Sequence, residues 1–552
     1  MQLFPTRTAA HLSIAALCVA GVGLAAREPA IVGWGGAVLL AMALARAVTL
    51  VSVARIRAAG FEMLWCGPRR VVRTTRGTTL EIEAEVRNRD TLAARYVKLR
   101  PIASSQLDIT IEPAAGEVVA SGRLKVRVSV RAQRVGQHGL HGLALEVHGS
   151  PGLFEVPLTF ANPFGVEVLP RPFAAYLTAP RGGRSRLTAA SGRPGRARGE
   201  GSDLRELREH MPGDPFRRIA WKASARRGTL LVRDLEREER DIAWVVLDAS
   251  VELWAGPLGR APLDLAIDEA AAICARYLSR GDRIGLAIYA STMRAWILPD
   301  QGPSHGNKLS HALITATGTH DASRSDLDES DVAVRVLEHL RPLDARGLSD
   351  LRRGDLDRLA SRADAMRPRA PFAPTAPEGR SGRERTLRRY LAAYGIESPP
   401  RTEPERHDAG FALIEALSQI ARQKPRASMV HVVAPAPSEH AHEKPLMDAL
   451  RRLSRTGATV SWSMPHFEPA LEPPFDPPTR TDGSQPEEVL SGPGRAAWEE
   501  VAEVAAEAVL VRTRVAVGRS EALLRRLGVR VARIKPTSPR RAVEAASEAE
   551  AR

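Results

Sequence analysis

Cysteine is nearly absent from this chain: Cys18, Cys66 and Cys274 are the 3 among 552 residues. They lie far apart and no CxxC occurs, which argues against a disulfide framework and a cysteine-based zinc site. Cys274 falls in an apolar helical pattern and reads as a small buried hydrophobe. Aromatic residues make up 5% of the chain, a poor supply for platforms that stack single-stranded bases. The signatures GxSxG, HExxH and the P-loop GxxxxGK followed by Ser or Thr are all missing, so no familiar hydrolase or nucleotide-binding chemistry is indicated. His305, His311, His407, His431, His440 and His442 do not form a ligand set.

What is present is an ordinary globular composition with 44% apolar residues and enough length for roughly three or four domain-sized units. The formal charge is +15 and the pI about 10.4. Such a balance suits nucleic acid, anionic lipid or an acidic partner. Much of the excess is arginine scattered among acids, as in RELREHMPGD and DLEREERD, a pattern typical of solvated surface.

Two long apolar runs open the chain, Ala9–Ala26 and Ala30–Ala45, the second continuing over Val48–Ala54. Each approaches the length that crosses a bilayer as a helix. Arg27-Glu28-Pro29 joins them as a tight connection. Arg7 precedes the first run, and Arg46, Arg55 and Arg57 lie at the end of the second. The positive-inside rule then puts both ends in the cytoplasm, a two-pass anchor in the inner membrane with the soluble domains on the cytoplasmic side. A cleaved signal peptide ending near Ala26 is the alternative.

From about Arg69 to Pro170 the pattern changes to alternation: Leu80, Ile82, Ala84 and Val86, then Leu124, Val126, Val128 and Val130, then Gly142–Ser150. Period two means strands with one buried face, and several at short spacing predict a small β-sandwich over 61–175. Pro180–Gly201 is rich in Gly, Arg and Ser without hydrophobic period and predicts an exposed loop.

Gly213, Asp214, Arg217, Trp221 and Arg226 follow at fixed spacing within PGDPFRRIAWKASARRG. Pro212-Gly213-Asp214 predicts a turn, and on a short helix from Pro215 the pair Asp214 and Arg217 would meet. Arg226 offers a planar fork for a carboxylate. The motif either staples the linker to the edge of the core or forms a partner- or anion-docking surface.

It resembles the motif of the DUF58 family, approximately GDxxRxIDWxxSAR, matched here by Gly213, Asp214, Arg217, Ile219, Trp221, Ser224, Ala225 and Arg226. Ala220 stands where the family has an Asp. With its flanks the resemblance covers about Phe154 to Leu313. The upstream GSPGLF is similar to the family's DPxGLF turn, with Ser150 in place of the acid. The resemblance implies a bacterial membrane protein with a von Willebrand factor A-like core, working with a MoxR-type AAA+ ATPase and other von Willebrand A proteins.

IAWVVLDAS (Ile242–Ser250) is a near-continuous apolar run, as in a central parallel strand covered on both faces. Helices and strands alternate after it: Leu263–Ser279, Arg283–Ser291, Met293–Asp300, His305–Thr315, Met429–Pro437 and Ala458–Met464. This predicts a doubly wound α/β core in two parts, 241–318 and 409–535, interrupted by a helical and polar insert over 319–408. A linker with the motif spans 176–240, and a tail spans 536–552. Within the insert, DESDVAVRVLEHL and RERTLRRYLAAYG predict amphipathic helices, either covering the strand ends or decorating the surface. After a Pro-rich stretch, Pro465–Pro493, the tail from Arg495 predicts a long helix and a shorter one near Arg519–Leu527.

Ligands of such sheets sit at the carboxyl ends of the strands, where Asp248 and Ser250 fall. The resemblance implies a DxSxS metal loop there, completed by a distant Thr and Asp. Asp248 and Ser250 match it, Glu252 replaces the second Ser, and Val433-Ala434-Pro435 carries no Asp. The candidate set for Mg²⁺ is therefore Asp248, Ser250 and Glu252; alternatively Asp248 caps the following loop. The function expected is a non-enzymatic interaction module in envelope or complex assembly. The alternatives are a basic protein binding nucleic acid or anionic lipid, and a metal-dependent hydrolase at Asp248.

Overall fold

A computed structural model describes residues 3–534 apart from 68–69, 149–151, 179–192, 213, 240, 345–346, 349–353, 374–376, 438–439 and 466–492. Ser150, Gly213, most of the Pro180–Gly201 linker before Arg193, the Pro-rich stretch and the tail over 536–552 thus lie outside the described residues. The chain divides into two units, Met1–Leu169 with Thr317–Thr402, and Pro170–Ala316 with Glu403–Arg552.

The first unit opens with the helices Arg7–Ala26 and Pro29–Gly60, both long and apolar enough to cross a membrane. Arg27 adopts a left-handed conformation, and its N–H caps the first helix through Gly23 and Leu24 carbonyls. Small residues let the two helices approach: a Cβ on Gly35 would stand 2.8 Å from the Ala16 carbonyl oxygen. The second helix, 32 residues and about 48 Å long by its rise, outruns the first. Its far end drives Val53 and Ile56 into the β-sheet core.

That core lies between a six-stranded and a four-stranded sheet. Alternation supplies it: Ile82, Ala84 and Val86 on Thr79–Asn88 pair in register with Val128, Val126 and Leu124 of Arg123–Ala132. They face Leu140, Leu143 and Leu145 of Gly136–His148. Phe154, after the Gly152-Leu153 turn, is buried with Ala9, Met42 and Ala45 of the helical hairpin.

The insert forms three helices, Glu329–Leu343, Leu356–Met366 and Gly382–Tyr394, around their own apolar cluster. It belongs with the β-rich part and not with the α/β part. The Glu397 carboxylate accepts hydrogen bonds from the Ser104 and Ser105 hydroxyls and from the Gln106 N–H, the last at 3.0 Å. His339 bridges the His141 ring at 3.0 Å and the Tyr390 hydroxyl at 2.9 Å. Amphipathicity announces such helices, but does not say which sheet receives their apolar faces.

The second unit holds a six-stranded sheet in the order Met293–Asp300, Arg283–Tyr289, Ile242–Asp248, Met429–Val433, Thr459–Pro465, Arg530–Ile534. All neighbours are parallel except the first pair, which is antiparallel. Val245 and Val246 are wholly buried in a strand paired on both sides, Val245 with Leu286 and His431, Val246 with Ala287 and Val432. The sequence expectation of two tail helices is corrected: one continuous helix runs Pro493–Arg526, since nothing between Val515 and Arg519 beyond Gly518 breaks it.

Candidate functional site

Two places in the second unit gather the residues singled out by sequence. The first is a β-ribbon: Arg193–Glu209 pairs antiparallel with Leu231–Glu239, so the linker expected to be a loop is strand from Arg193 onward. Its register sets Arg193 opposite Glu239 and Arg198 opposite Glu236. The ribbon's return strand leads into the central strand at Ile242, and its nine residues reach at most about 30 Å. The signature is the connection at the other end.

There Phe216–Arg218 forms one 3-10 turn and Trp221–Arg227 a short helix ended by Gly228 in a left-handed conformation. Ile219, Ala220, Leu231 and Val232 are buried, and Ile219 bridges Val232. Ser224 locks the helix to the ribbon: its hydroxyl donates to the Ala220 carbonyl at 3.1 Å and accepts the Leu231 N–H at 2.9 Å. Ala220 occupies a buried site with no room for the solvation an Asp requires.

Asp214 does not meet Arg217. It takes a bidentate pair from Arg208, at 2.7 and 2.5 Å, and the Met211 N–H at 2.8 Å. The Arg208 bonds, then that N–H, hold its carboxyl down at about 2. The 3-10 turn carries Arg217 outward, whereas the strand end brings Arg208 beside the turn. Arg217, Trp221 and Arg226 are exposed; neither arginine has an ion-pair partner among the described residues. Phe216 is 76% and Trp221 62% exposed. The signature thus sorts by direction, small and aliphatic residues inward, aromatic and cationic ones outward.

The second place is the carboxyl end of the sheet, where strand order reverses between Ile242–Asp248 and Met429–Val433. Asp248, Tyr289, Arg406, Gly410, Pro435, His442 and Trp462 are among the residues lining a cleft with about 420 Å³ of empty space, part of it open to solvent. The carboxylate of Asp248 is buried and fully engaged. One oxygen accepts the Ser250 N–H at 2.9 Å and the Ser250 hydroxyl. The other accepts Arg406 Nη1 at 3.2 Å. Tyr289 also hydrogen-bonds it; burial first, and the neighbouring negative charge second, hold that phenol well above its ordinary value, so it stays a donor.

Arg406 opens the helix Arg406–Arg422 and was not singled out by sequence. It lies 158 residues from Asp248 at the close of the insert, with no local motif to mark it. Gly410, one turn later, admits His442: a Cβ there would stand 2.4 Å from the imidazole. His442 also meets Phe411 edge-on, with ring centroids 4.6 Å apart.

These donors do not fit Mg²⁺. Asp248 spends its oxygens on Ser250 and on a guanidinium, and Ala434 brings no carboxylate. Among the described residues no three acidic, His or Cys side chains are gathered for a metal. Asp248 caps its loop, and Arg406 supplies the positive charge.

The family described as "Protein of unknown function DUF58" matches residues 206–364. Uncharacterized proteins of Mycobacterium tuberculosis and Mycobacterium bovis are 29% identical over 143 residues, 26% of this chain and 45% of each relative. The match therefore spans less than half the length of these curated relatives. Among solved structures, the PapD-like domain 7 of human CEP192 is 16% identical at a TM-score of 0.16, over 20% of this chain and 85% of that one. A Caenorhabditis elegans MSP family member is 9% identical at 0.14, over 20% and 97%. Scores this low add nothing to the fold described above.

Proposed function

From the match to DUF58 over residues 206–364, we propose that this chain is a membrane-anchored, non-enzymatic docking module. Its ribbon tip receives an acidic surface of a partner protein, by the family resemblance a MoxR-type AAA+ ATPase. The observation that carries this is the sorting of the signature. Phe216 and Trp221 present apolar area beside Arg217 and Arg226, which have no ion pairs among the described residues. Exposed aromatics flanked by arginine are the composition of binding hot spots.

A von Willebrand A-like reading of the sheet is supported by its strand order and its antiparallel edge strand. Placement of the soluble parts in the cytoplasm rests on Arg7, Arg46, Arg55 and Arg57 at the open ends of the hairpin.

The test is co-purification of the ATPase with the full-length protein from native membranes. Arg226→Glu and Trp221→Ala should each abolish recovery, about a hundredfold loss, with the thermal midpoint unchanged because both side chains are exposed. Equal recovery by either variant would overturn the assignment of this face. Steeply salt-dependent retention on DNA that Arg226→Glu removes would reassign it to nucleic acid.

A further inference from the structure

The helix Pro29–Gly60 runs on past its hairpin partner. Ala9, near the start of Arg7–Ala26, packs with Met42 and Ala45, so about four turns of the longer helix lie beyond that level. One face of this stretch is used up: Thr49, Val53 and Ile56 are buried, the last two in the sandwich core. The opposite face continues a stripe begun within the hairpin. Leu44, Val48 and Val51 recur in steps of four and three, and Val48 is 52% and Val51 69% exposed.

The charges on the two sides are staggered. Charged side chains mark where a helix leaves hydrocarbon. Arg46 gives that mark on the side away from the stripe; on the stripe itself it comes only at Arg55, about 13 Å further along. On the stripe's side the helix stays apolar from Ala30 to Ala54, about 37 Å against roughly 30 Å of hydrocarbon. A helix perpendicular to the bilayer would leave Val48 and Val51 in water. An inclined one keeps both in lipid, the ordinary response to excess apolar length.

The sandwich supplies a second observation. Arg55 donates to the Thr91 hydroxyl at 2.8 Å and faces the Asp90 carboxylate at 3.3 Å. The Asn88 amide joins this turn to a second one, donating to the Leu92 carbonyl at 2.7 Å and the Val119 carbonyl at 3.4 Å. The two turns form one corner, and it exposes Leu92 by 41% and Val119 by 56%. The corner's cations are already matched, Arg55 by Asp90 and Arg89 by Glu62 at 2.6 Å.

We infer that this corner of the sandwich rests in the headgroup layer of the bilayer, with Leu92 and Val119 inserted where the Leu44–Val51 stripe emerges. Continuity names the partner: the stripe that ends at Arg55 beside the corner is the lipid-facing side of the same helix. Because Arg55 and Arg89 are paired internally, apolar burial drives the contact and anionic headgroups are not required. The inference rests on the reading of the two helices as membrane-spanning, and adds to it a shallow contact made by the β-sheet part.

The experiment places one environment-sensitive fluorophore at a time on the full chain in phosphatidylcholine nanodiscs. Cys18, Cys66 and Cys274 are replaced by alanine, and the label is carried by Leu40→Cys, Leu92→Cys, Val119→Cys or Thr79→Cys. All four side chains are exposed, so folding should be unaffected. Leu40 reports the spanning segment, and Thr79 reports water from the far end of Thr79–Asn88, about 30 Å from the corner. Labels at Leu92→Cys and Val119→Cys should be quenched by lipids bearing a nitroxide near the headgroup at least about threefold more than the label at Thr79→Cys. Aqueous iodide should reverse that order. Corner labels that behave like the one at Thr79→Cys, while Leu40→Cys is quenched from lipid, overturn the inference and leave the anchor standing. A label at Leu40→Cys that iodide reaches and lipid does not overturns both.

Discussion

The ribbon tip and the strand-end cleft both hold arginine beside aromatic rings, yet they treat charge in opposite ways. At the cleft the cation is consumed internally: Arg406 faces Asp248, and Ser250 and Tyr289 complete the carboxylate. At the tip the internal pair is Arg208 with Asp214, which shapes the turn, and Arg217 and Arg226 stay exposed. A side chain spent on its own fold stabilises it; one left exposed contributes little to stability. The difference gives each region its own mutational signature.

The largest separation should come from truncation. Arg406→Ala leaves the Asp248 charge buried without its counter-ion and should destabilise the α/β unit by about 3 kcal/mol, read by urea unfolding. Trp221→Ala at the tip should stay within about 0.5 kcal/mol. Equal losses would mean that the tip is structural, and no loss for Arg406→Ala would mean that its contact with Asp248 contributes little.

Acid should sharpen the same contrast. His431 lies in the strand beside Ile242–Asp248, bonded to the Tyr277 hydroxyl at 3.0 Å and to Ser461 at 2.6 Å. Burial, helped by Arg276, pulls its pKa down to about 4. The folded sheet therefore refuses a proton that the unfolded chain accepts below about 6.5. Its contribution is complete above that pH and is lost as pH falls toward 4, about 2 kcal/mol by pH 5. Asp214 at the tip, held at about 2, keeps its charge through this whole window. Burial holds His141, His320 and His339 low as well, so stability should fall between pH 7 and 5 for wild type, and that of His431→Gln should fall about 2 kcal/mol less. An equal shift in that variant would place the acid sensitivity elsewhere.

A smaller effect tests how the tip is held. Ser224→Ala strands the Leu231 N–H and should cost about 1–2 kcal/mol, with increased hydrogen exchange confined to Trp221–Val232. Protection unchanged at Leu231 would show that the ribbon alone fixes the helix.

The elements with a period were legible in the sequence. Alternation at Ile82–Val86 and Val126–Val130 gave strands, and the apolar run at Ile242–Leu247 gave a strand buried on both faces. The two apolar runs gave helices long enough to span. What escaped reading lacked a local signal. Arg193–Gly201 is strand by pairing with Glu239–Leu235, a property of two segments at once. Arg406 reaches Asp248 only after the whole insert has been threaded away, and a lone arginine at a helix start looks like surface. Likewise the signature's spacing suggested Asp214 with Arg217, but spacing does not fix the direction in which a 3-10 turn points its side chains. Asp214 and Asp248 were visible; their partners Arg208 and Arg406 were not.

The smallest expected effect concerns the metal, and it closes the comparison. Were the cleft a cation site, Mg²⁺ would bind the folded form alone and raise its stability with concentration. The guanidinium of Arg406 already stands at the outward oxygen of Asp248, and no second carboxylate comes from Ala434. A divalent ion would have to displace a tethered cation and then find fewer hard oxygens than its octahedral shell demands. Titration of the full chain to about 10 mM Mg²⁺, roughly the scale of weak carboxylate sites, should move the thermal midpoint by less than about 1 °C. In Arg406→Gln, Asp248 regains an open oxygen, and any Mg²⁺-dependent stabilisation should appear there first. A wild-type midpoint that climbs with Mg²⁺ and saturates would show that Arg406 yields to a metal.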